Sequence, residues 1–175
     1  MLIVFTGNGK GKTTAALGQA VRLVGRGRNV LMLQFIKGPW KSGEDFSEIR
    51  QRGGSAVFEL RKRGLGFVGI LGDQLPREAH EKAANEALAE CGRELESGKW
   101  GAVILDEVNV AVHLGLLRPE DVLLILQKAN ADMLVVVTGR DAPQAFIDAA
   151  HLVTEMREIK HPFEHGALGK IASEF

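Results

Sequence analysis

Lys12, Thr13 and Thr14 close the run Thr6-Gly7-Asn8-Gly9-Lys10-Gly11-Lys12-Thr13-Thr14, and a lysine and a hydroxyl directly behind a glycine-rich stretch are chemistry for a polyphosphate. Glycines let successive backbone N–H groups turn toward one point, and a helix starting behind them adds its positive end. Lys12 is expected to meet phosphate charge as a solvent-accessible ligand. The Thr13 hydroxyl is expected to bind a Mg²⁺ that bridges phosphates. The spacing departs from G-x-x-x-x-G-K-[ST]: counting back from Gly11, Thr6 stands where the first glycine belongs and Gly7 comes one place late. Phosphate binding survives that change. The assumption that the nucleotide lies as it does in an ordinary ATPase does not.

A second group with chemistry is the pair Asp106-Glu107, which ends the apolar run Ala102-Val103-Ile104-Leu105. Paired acids after a strand also occur as helix starts. Beside a phosphate loop, they suit holding or orienting Mg²⁺. Arg140, in Thr138-Gly139-Arg140, could clamp phosphate through paired hydrogen bonds. Lys37 and Trp40 fall in the loop Lys37 to Glu44, where a tryptophan can face a ligand or pack on its own chain. The run Gly64 to Gly72 interleaves four glycines with large apolar groups. A loop folded onto the core is its plainer reading, a flap over an apolar ligand the other. His113 reads as a packed or surface histidine, and His161 and His165 in the tail are a weak metal signal.

These groups need a scaffold that brings them to one edge. Leu2 to Phe5, Val30 to Ile36, Ala56 to Leu60, Ala102 to Leu105, Met133 to Val137 and Leu152 to Met156 read as strands. Between them, Leu17, Ala20, Val21 and Val24 recur at helical spacing. A short helix is expected around Phe46 to Gln51. A long helix starting near Pro76 carries Ala84, Ala87, Leu88, Cys91 and Leu95 on one face and ends near Gly98. Two more helices begin at Pro119, with Val122, Ile125 and Leu126 inward, and at Pro143. Alternating strands and helices predict an α/β fold, a doubly wound and mostly parallel sheet of about six strands of the P-loop NTPase kind. In such sheets ligands bind at the C-terminal ends of the strands, where each group above falls.

With 175 residues and 45% hydrophobic content the chain is expected to form one domain over residues 1–175. Twenty-two basic and twenty-two acidic residues cancel, which argues against nucleic acid or an anionic membrane as the main partner. Arg61-Lys62-Arg63 is a local cluster and reads as a solvated loop. Cys91 is the only cysteine, so no disulfide framework is expected, and a reducing, cytoplasmic setting is. The apolar start lacks a basic leader segment, and no apolar stretch reaches membrane-spanning length.

Five ordered blocks, TGNGKGKTT at 6–14, QFIKGPWKSGE at 34–44, LDEVN at 105–109, TGRDAP at 138–143 and KHPF at 160–163, resemble the P-loop ATP:corrinoid (cob(I)alamin) adenosyltransferases over nearly the whole chain. The resemblance implies transfer of the 5′-deoxyadenosyl group of ATP to Co(I) of a corrinoid, release of triphosphate, and a nucleotide reversed along the loop. It adds to the loop reading, so that Gly7, Asn8, Gly9, Lys10, Gly11, Lys12, Thr13, Thr14 and Arg140 are expected to bind ATP. Thr13, Glu107 and Asp106 are expected at Mg²⁺ or Mn²⁺, Asp106 as a supporting carboxylate, and Lys12 and Glu107 to carry catalysis. Trp40 and Phe67 are candidates for the corrinoid side, although the aromatic expected two residues after Phe67 is Gly69. A flavoprotein reductant and a homodimer are further implications. Two other functions fit the same loop: a small-molecule kinase or NTPase, and a nucleotide-dependent binding module.

Overall fold

The central apolar runs collapse into short strands because both their faces can be covered, whereas the third and last strands stay partly or fully exposed. The chain returns by an α-helix between strands except between the second and third, where only a 3-10 turn intervenes. The computed structural model describes residues 1–70 and 72–160; His161 and His165 lie outside them. In chain order the elements are β1 (Leu2–Thr6), α1 (Lys12–Gly25), β2 (Val30–Gln34), a 3-10 turn (Gly43–Phe46), β3 (Phe58–Lys62) and α2 (Arg77–Glu96). There follow β4 (Ala102–Asp106), α3 (Val108–His113), α4 (Pro119–Leu126), β5 (Leu134–Thr138), α5 (Gln144–Ala149) and β6 (Leu152–Glu155). The strands form one sheet in the order β3-β2-β4-β5-β1-β6, every pairing parallel. Among the described residues no helix is long and apolar enough to cross a membrane.

Side chains alternate across this sheet and divide the core in two. Ile3, Phe5, Val30, Met32, Ile104 and Val136 face α1, which supplies Ala16, Ala20 and Val24. Leu31, Leu33, Val103, Leu105, Val135 and Val137 face the other way, onto residues of α2, α3, α4 and α5. The stripe of α2 is as its spacing predicts, with Ala84, Ala87, Leu88, Cys91 and Leu95 all buried. On α1 the buried stripe is rotated, and Val21 is left 54% exposed. Ile125 of α4 is only half-buried.

Several expectations change. Residues 47–51 are not helical; only Gly43–Phe46 forms a 3-10 turn, and Arg50 joins Val57 in an antiparallel bridge. The third strand starts two residues later than Ala56, because its register on β2 runs from Val30↔Phe58 to Gln34↔Lys62. That register also puts Arg61 and Lys62 in an edge strand and not in the expected solvated loop, which two cations tolerate because Arg61 meets Glu59, Glu90 and Glu94, while Lys62 meets Asp45. The Gly64 to Gly72 run does not fold wholly onto the core: Val68 packs against it, whereas Phe67 and Ile70 are 42% and 59% exposed.

Candidate active site at the phosphate loop and strand-end carboxylates

β1 ends at Thr6, and the chain must turn at once to start α1 at Lys12, so the loop between them is tight. Gly7 and Gly11 both take positive φ, 91° and 111°. A Cβ on Gly7 would lie 2.5 Å from the Met156 carbonyl oxygen, and one on Gly9 would lie 2.7 Å from the same oxygen. Glycine is required there because the segment after β6 presses on the loop. The Gly9 N–H donates to Met156 O at 2.6 Å, and the Met156 N–H to Thr6 O at 2.8 Å. One loop amide is thus already engaged by the chain itself.

Lys12 is not the solvent-accessible group its motif suggests. It is 7% exposed, with Nζ donating to the carbonyls of Gly7 and Gly9, each at 2.7 Å. The ammonium is folded under the loop, where carbonyls satisfy it. Burial lowers its pKa; Glu107 opposes that shift and Arg140 adds to it.

Asp106 is the hub. Its Oδ1 accepts the hydroxyls of Thr13 at 2.9 Å and Thr138 at 2.7 Å, and its Oδ2 accepts Gln34 Nε2 at 3.0 Å. The residue is fully buried. Sheet register assembles this group: Gln34 pairs with Asp106, and Thr138 closes the neighbouring strand. Thr13 gives its proton to Asp106, so its oxygen lone pairs remain for a cation in the cleft.

Glu107 follows in the left-handed region, φ 62°, a conformation that costs about 1–3 kcal/mol in a non-glycine residue. Its N–H donates to Thr138 Oγ1 at 3.0 Å, and the turn directs the residue into the cleft lining. Burial first, and the charge of Asp106 second, push its carboxyl up to about 7. The Thr13 hydroxyl and the Glu107 carboxylate are hard oxygen donors of the kind Mg²⁺ or Mn²⁺ takes. Among the described residues no group of three or more His, Cys, Asp or Glu could hold a metal, so an ion here would complete its shell with water or phosphate oxygens.

These residues line a cleft of 690 Å³. Its lining takes in Asn8, Gly9, Lys10, Gly11, Lys12, Thr13 and Thr14 from the loop, Glu107 and Arg140 from the turns after β4 and β5, and Lys37, Glu44 and Phe67 from the segments after β2 and β3. Gly7 is the one loop candidate outside that lining. Trp40 stacks on Phe67, ring centroids 5.4 Å apart and tilted by 36°, and is itself 60% exposed. It packs on its own chain and still shows a face. His113 is exposed, 3.8 Å from Asp141 and outside the lining.

Several members of the site carry no motif signal as single residues. Gln34 bridges Asp106 and Glu44, donating to the latter at 3.3 Å. Burial would raise the Glu44 carboxyl, but Lys37 at 2.6 Å and further hydrogen bonds outweigh it and bring it to about 2. Asn109, fully buried, donates to the carbonyls of Gly139 and Phe5 at 3.1 and 3.4 Å and ties together the ends of β5 and β1. Glu158 joins the lining. The one sequence feature that Gln34 and Thr138 share is a polar residue ending an otherwise apolar strand, which does not by itself separate them from a solvated strand end.

The family model described as ATP:corrinoid adenosyltransferase BtuR/CobO/CobP matches residues 1–175. The chain is similar to the corrinoid adenosyltransferase of Escherichia coli (strain K12), 35% identical over 175 residues that cover 100% of this chain and 85% of the relative. It is similar to the corrinoid adenosyltransferase CobA of Salmonella typhimurium at 35%, with the same coverage. To the corrinoid adenosyltransferase of Pseudomonas aeruginosa the identity is 37%, covering 100% of this chain and 83% of that one.

Proposed function

We propose, from the premise that this chain belongs to the ATP:corrinoid adenosyltransferase family, how its cleft carries out that reaction. The enzyme performs ATP-dependent transfer of the adenosyl group to a corrinoid in cobalamin biosynthesis. Cobalt(I) is itself the nucleophile in that transfer, so the protein has no general base to supply. It must align C5′, stabilise the departing phosphates and exclude water.

The phosphate loop and Lys12 meet the triphosphate in this reading, Lys12 exchanging the Gly7 and Gly9 carbonyls for phosphate oxygens. Arg140 adds charge at the open side. Thr13 and Glu107 hold a Mg²⁺ or Mn²⁺, with Asp106 behind them fixing the Thr13 hydroxyl. Such an ion, when bound, neutralises phosphate charge. Trp40 and Phe67 form the apolar wall toward the corrinoid. The enzyme is read as a cytoplasmic homodimer served by a flavoprotein reductant.

The observation that carries the nucleotide reading is the hydrogen bond from Thr13 to Asp106 beside an inward Glu107, because it joins the phosphate loop to the one strand end with paired acids among the described residues. Incubation with ATP, Mg²⁺ and chemically reduced corrinoid tests the reading: a light-sensitive alkylcobalt product is expected, and it should fall sharply in Thr13→Ala and Glu107→Ala. ADP formation would favour a kinase, and nucleotide binding without turnover a binding module.

A further inference from the structure

Asp73 fixes the loop that leads from β3 to α2. Its Oδ2 accepts the Gly69 N–H at 2.8 Å and lies 3.0 Å from His80 Nε2, while its Oδ1 accepts the Leu75 N–H at 3.0 Å. One carboxylate therefore holds the backbone on both sides of the turn and ties it to a helix. The two side chains are 8% and 2% exposed. Taking a carboxylate and an imidazole out of water is unfavourable unless each finds the other.

His80 continues the inward stripe of α2, one turn before Ala84. Every other inward residue of that stripe is apolar or small, so core packing alone does not call for an imidazole here. Its polar end reaches the loop instead. That loop carries Phe67 into the cleft lining. Upstream, the Gly66 N–H donates to Ile36 O at 3.0 Å, and a Cβ on Gly66 would lie 2.9 Å from the Trp40 ring. Phe67 thus stands between two fixed points, the Ile36 contact and the Asp73–His80 pair. A glycine-rich loop without the second would regain much backbone freedom.

We propose that the buried Asp73–His80 pair is a positioning device for the acceptor side of the cleft, holding the loop that presents Phe67 and so setting how tightly the corrinoid, and not ATP, is bound. This rests on Phe67 facing the corrinoid, as read above. His80 and Asp73 touch no substrate; they act through the loop.

The test compares His80→Leu, His80→Gln, Asp73→Ala and Phe67→Ala in the whole chain. Apparent KM is measured for prereduced corrinoid and for ATP, together with hydrogen exchange of the Gly69 and Leu75 amides. In His80→Leu the corrinoid KM and the amide exchange rate should each rise roughly tenfold, as expected for losing a hydrogen bond to a charged group, while the ATP KM stays within about twofold. Asp73→Ala, a change in the loop rather than the core, should match it even if His80→Leu folds poorly. His80→Gln, which can reach the same carboxylate, should restore most of the loss. Unchanged exchange, or equal loss toward both substrates, would overturn the assignment. A raised corrinoid KM in Phe67→Ala beside an unchanged one in Asp73→Ala and His80→Leu would overturn the anchor alone. An unchanged corrinoid KM in Phe67→Ala would overturn the reading of Phe67 and the anchor's role with it.

Discussion

Lys12 makes two hydrogen bonds inside its own loop, so replacing it removes both a loop stitch and the charge meant for phosphate. Lys12→Ala should keep the fold, since the core clusters do not include it. It should lose about 1.5–3 kcal/mol of ATP binding, the range for a charge-assisted contact; calorimetry on a folded variant checks this, and wild-type affinity would remove Lys12 from the site. Glu44 gives a pH prediction with a definite sign. Its folded pKa of about 2 lies below the ordinary 4.5, so its contribution to stability is present above 4.5 and is lost as pH falls toward 2. Glu44→Gln should therefore cost about 1–3 kcal/mol at pH 7, and the difference should shrink through that acid window. Urea unfolding at several pH values measures it. Lys12, Thr13, Asp106 and Glu107 were legible because motif chemistry fixes their spacing. Gln34 and Thr138 were not, since a polar strand end reads equally as solvated until register sets it beside a carboxylate.

The loop between β1 and α1 is shaped by β6 as much as by its own sequence. Gly9→Ala should lower stability by about 1–3 kcal/mol through overpacking against Met156 and Arg157, and should weaken ATP binding; thermal unfolding with and without nucleotide measures both. The acceptor-side loop gives a different signature. Phe67→Ala should raise the KM for prereduced Co(I) corrinoid and should impair reaction from Co(II) with a biological reductant much more, because the latter depends on easing cobalt reduction as well as on binding. Equal losses would point to general packing. The long elements were readable because α2 repeats its stripe over about four turns, whereas Val108–His113 is too short and too rich in valine to show a helical period. The stretch after Phe46 was misread as helix because its extended course depends on the Arg50–Val57 bridge, a partner distant in sequence.

At the scale of the whole molecule, β4 and β5 are inserted beside β1, so that strand ends far apart in sequence share one edge. Thr13 and Asp106, 93 positions apart, meet there at 2.9 Å. Alternation of apolar runs and helices made the parallel α/β class legible. Strand order was not, because the four central runs are short and apolar enough to pair with any neighbour. In the proposed reading, the bond of ATP that is broken follows from which atom is attacked at this edge. Attack by Co(I) at C5′ breaks the bond to the α-phosphate oxygen, so the three phosphates leave together; attack at the γ-phosphorus would leave ADP. In the proposed reading, donors of the phosphate loop and Lys12 stabilise the charge gathering on that departing chain. Phosphorus NMR of the protein with ATP, Mg²⁺ and reduced corrinoid should show intact tripolyphosphate in equal amount to adenosylated corrinoid, with little ATP consumed when corrinoid is left out. ADP and orthophosphate appearing at the same rate with or without corrinoid would contradict it.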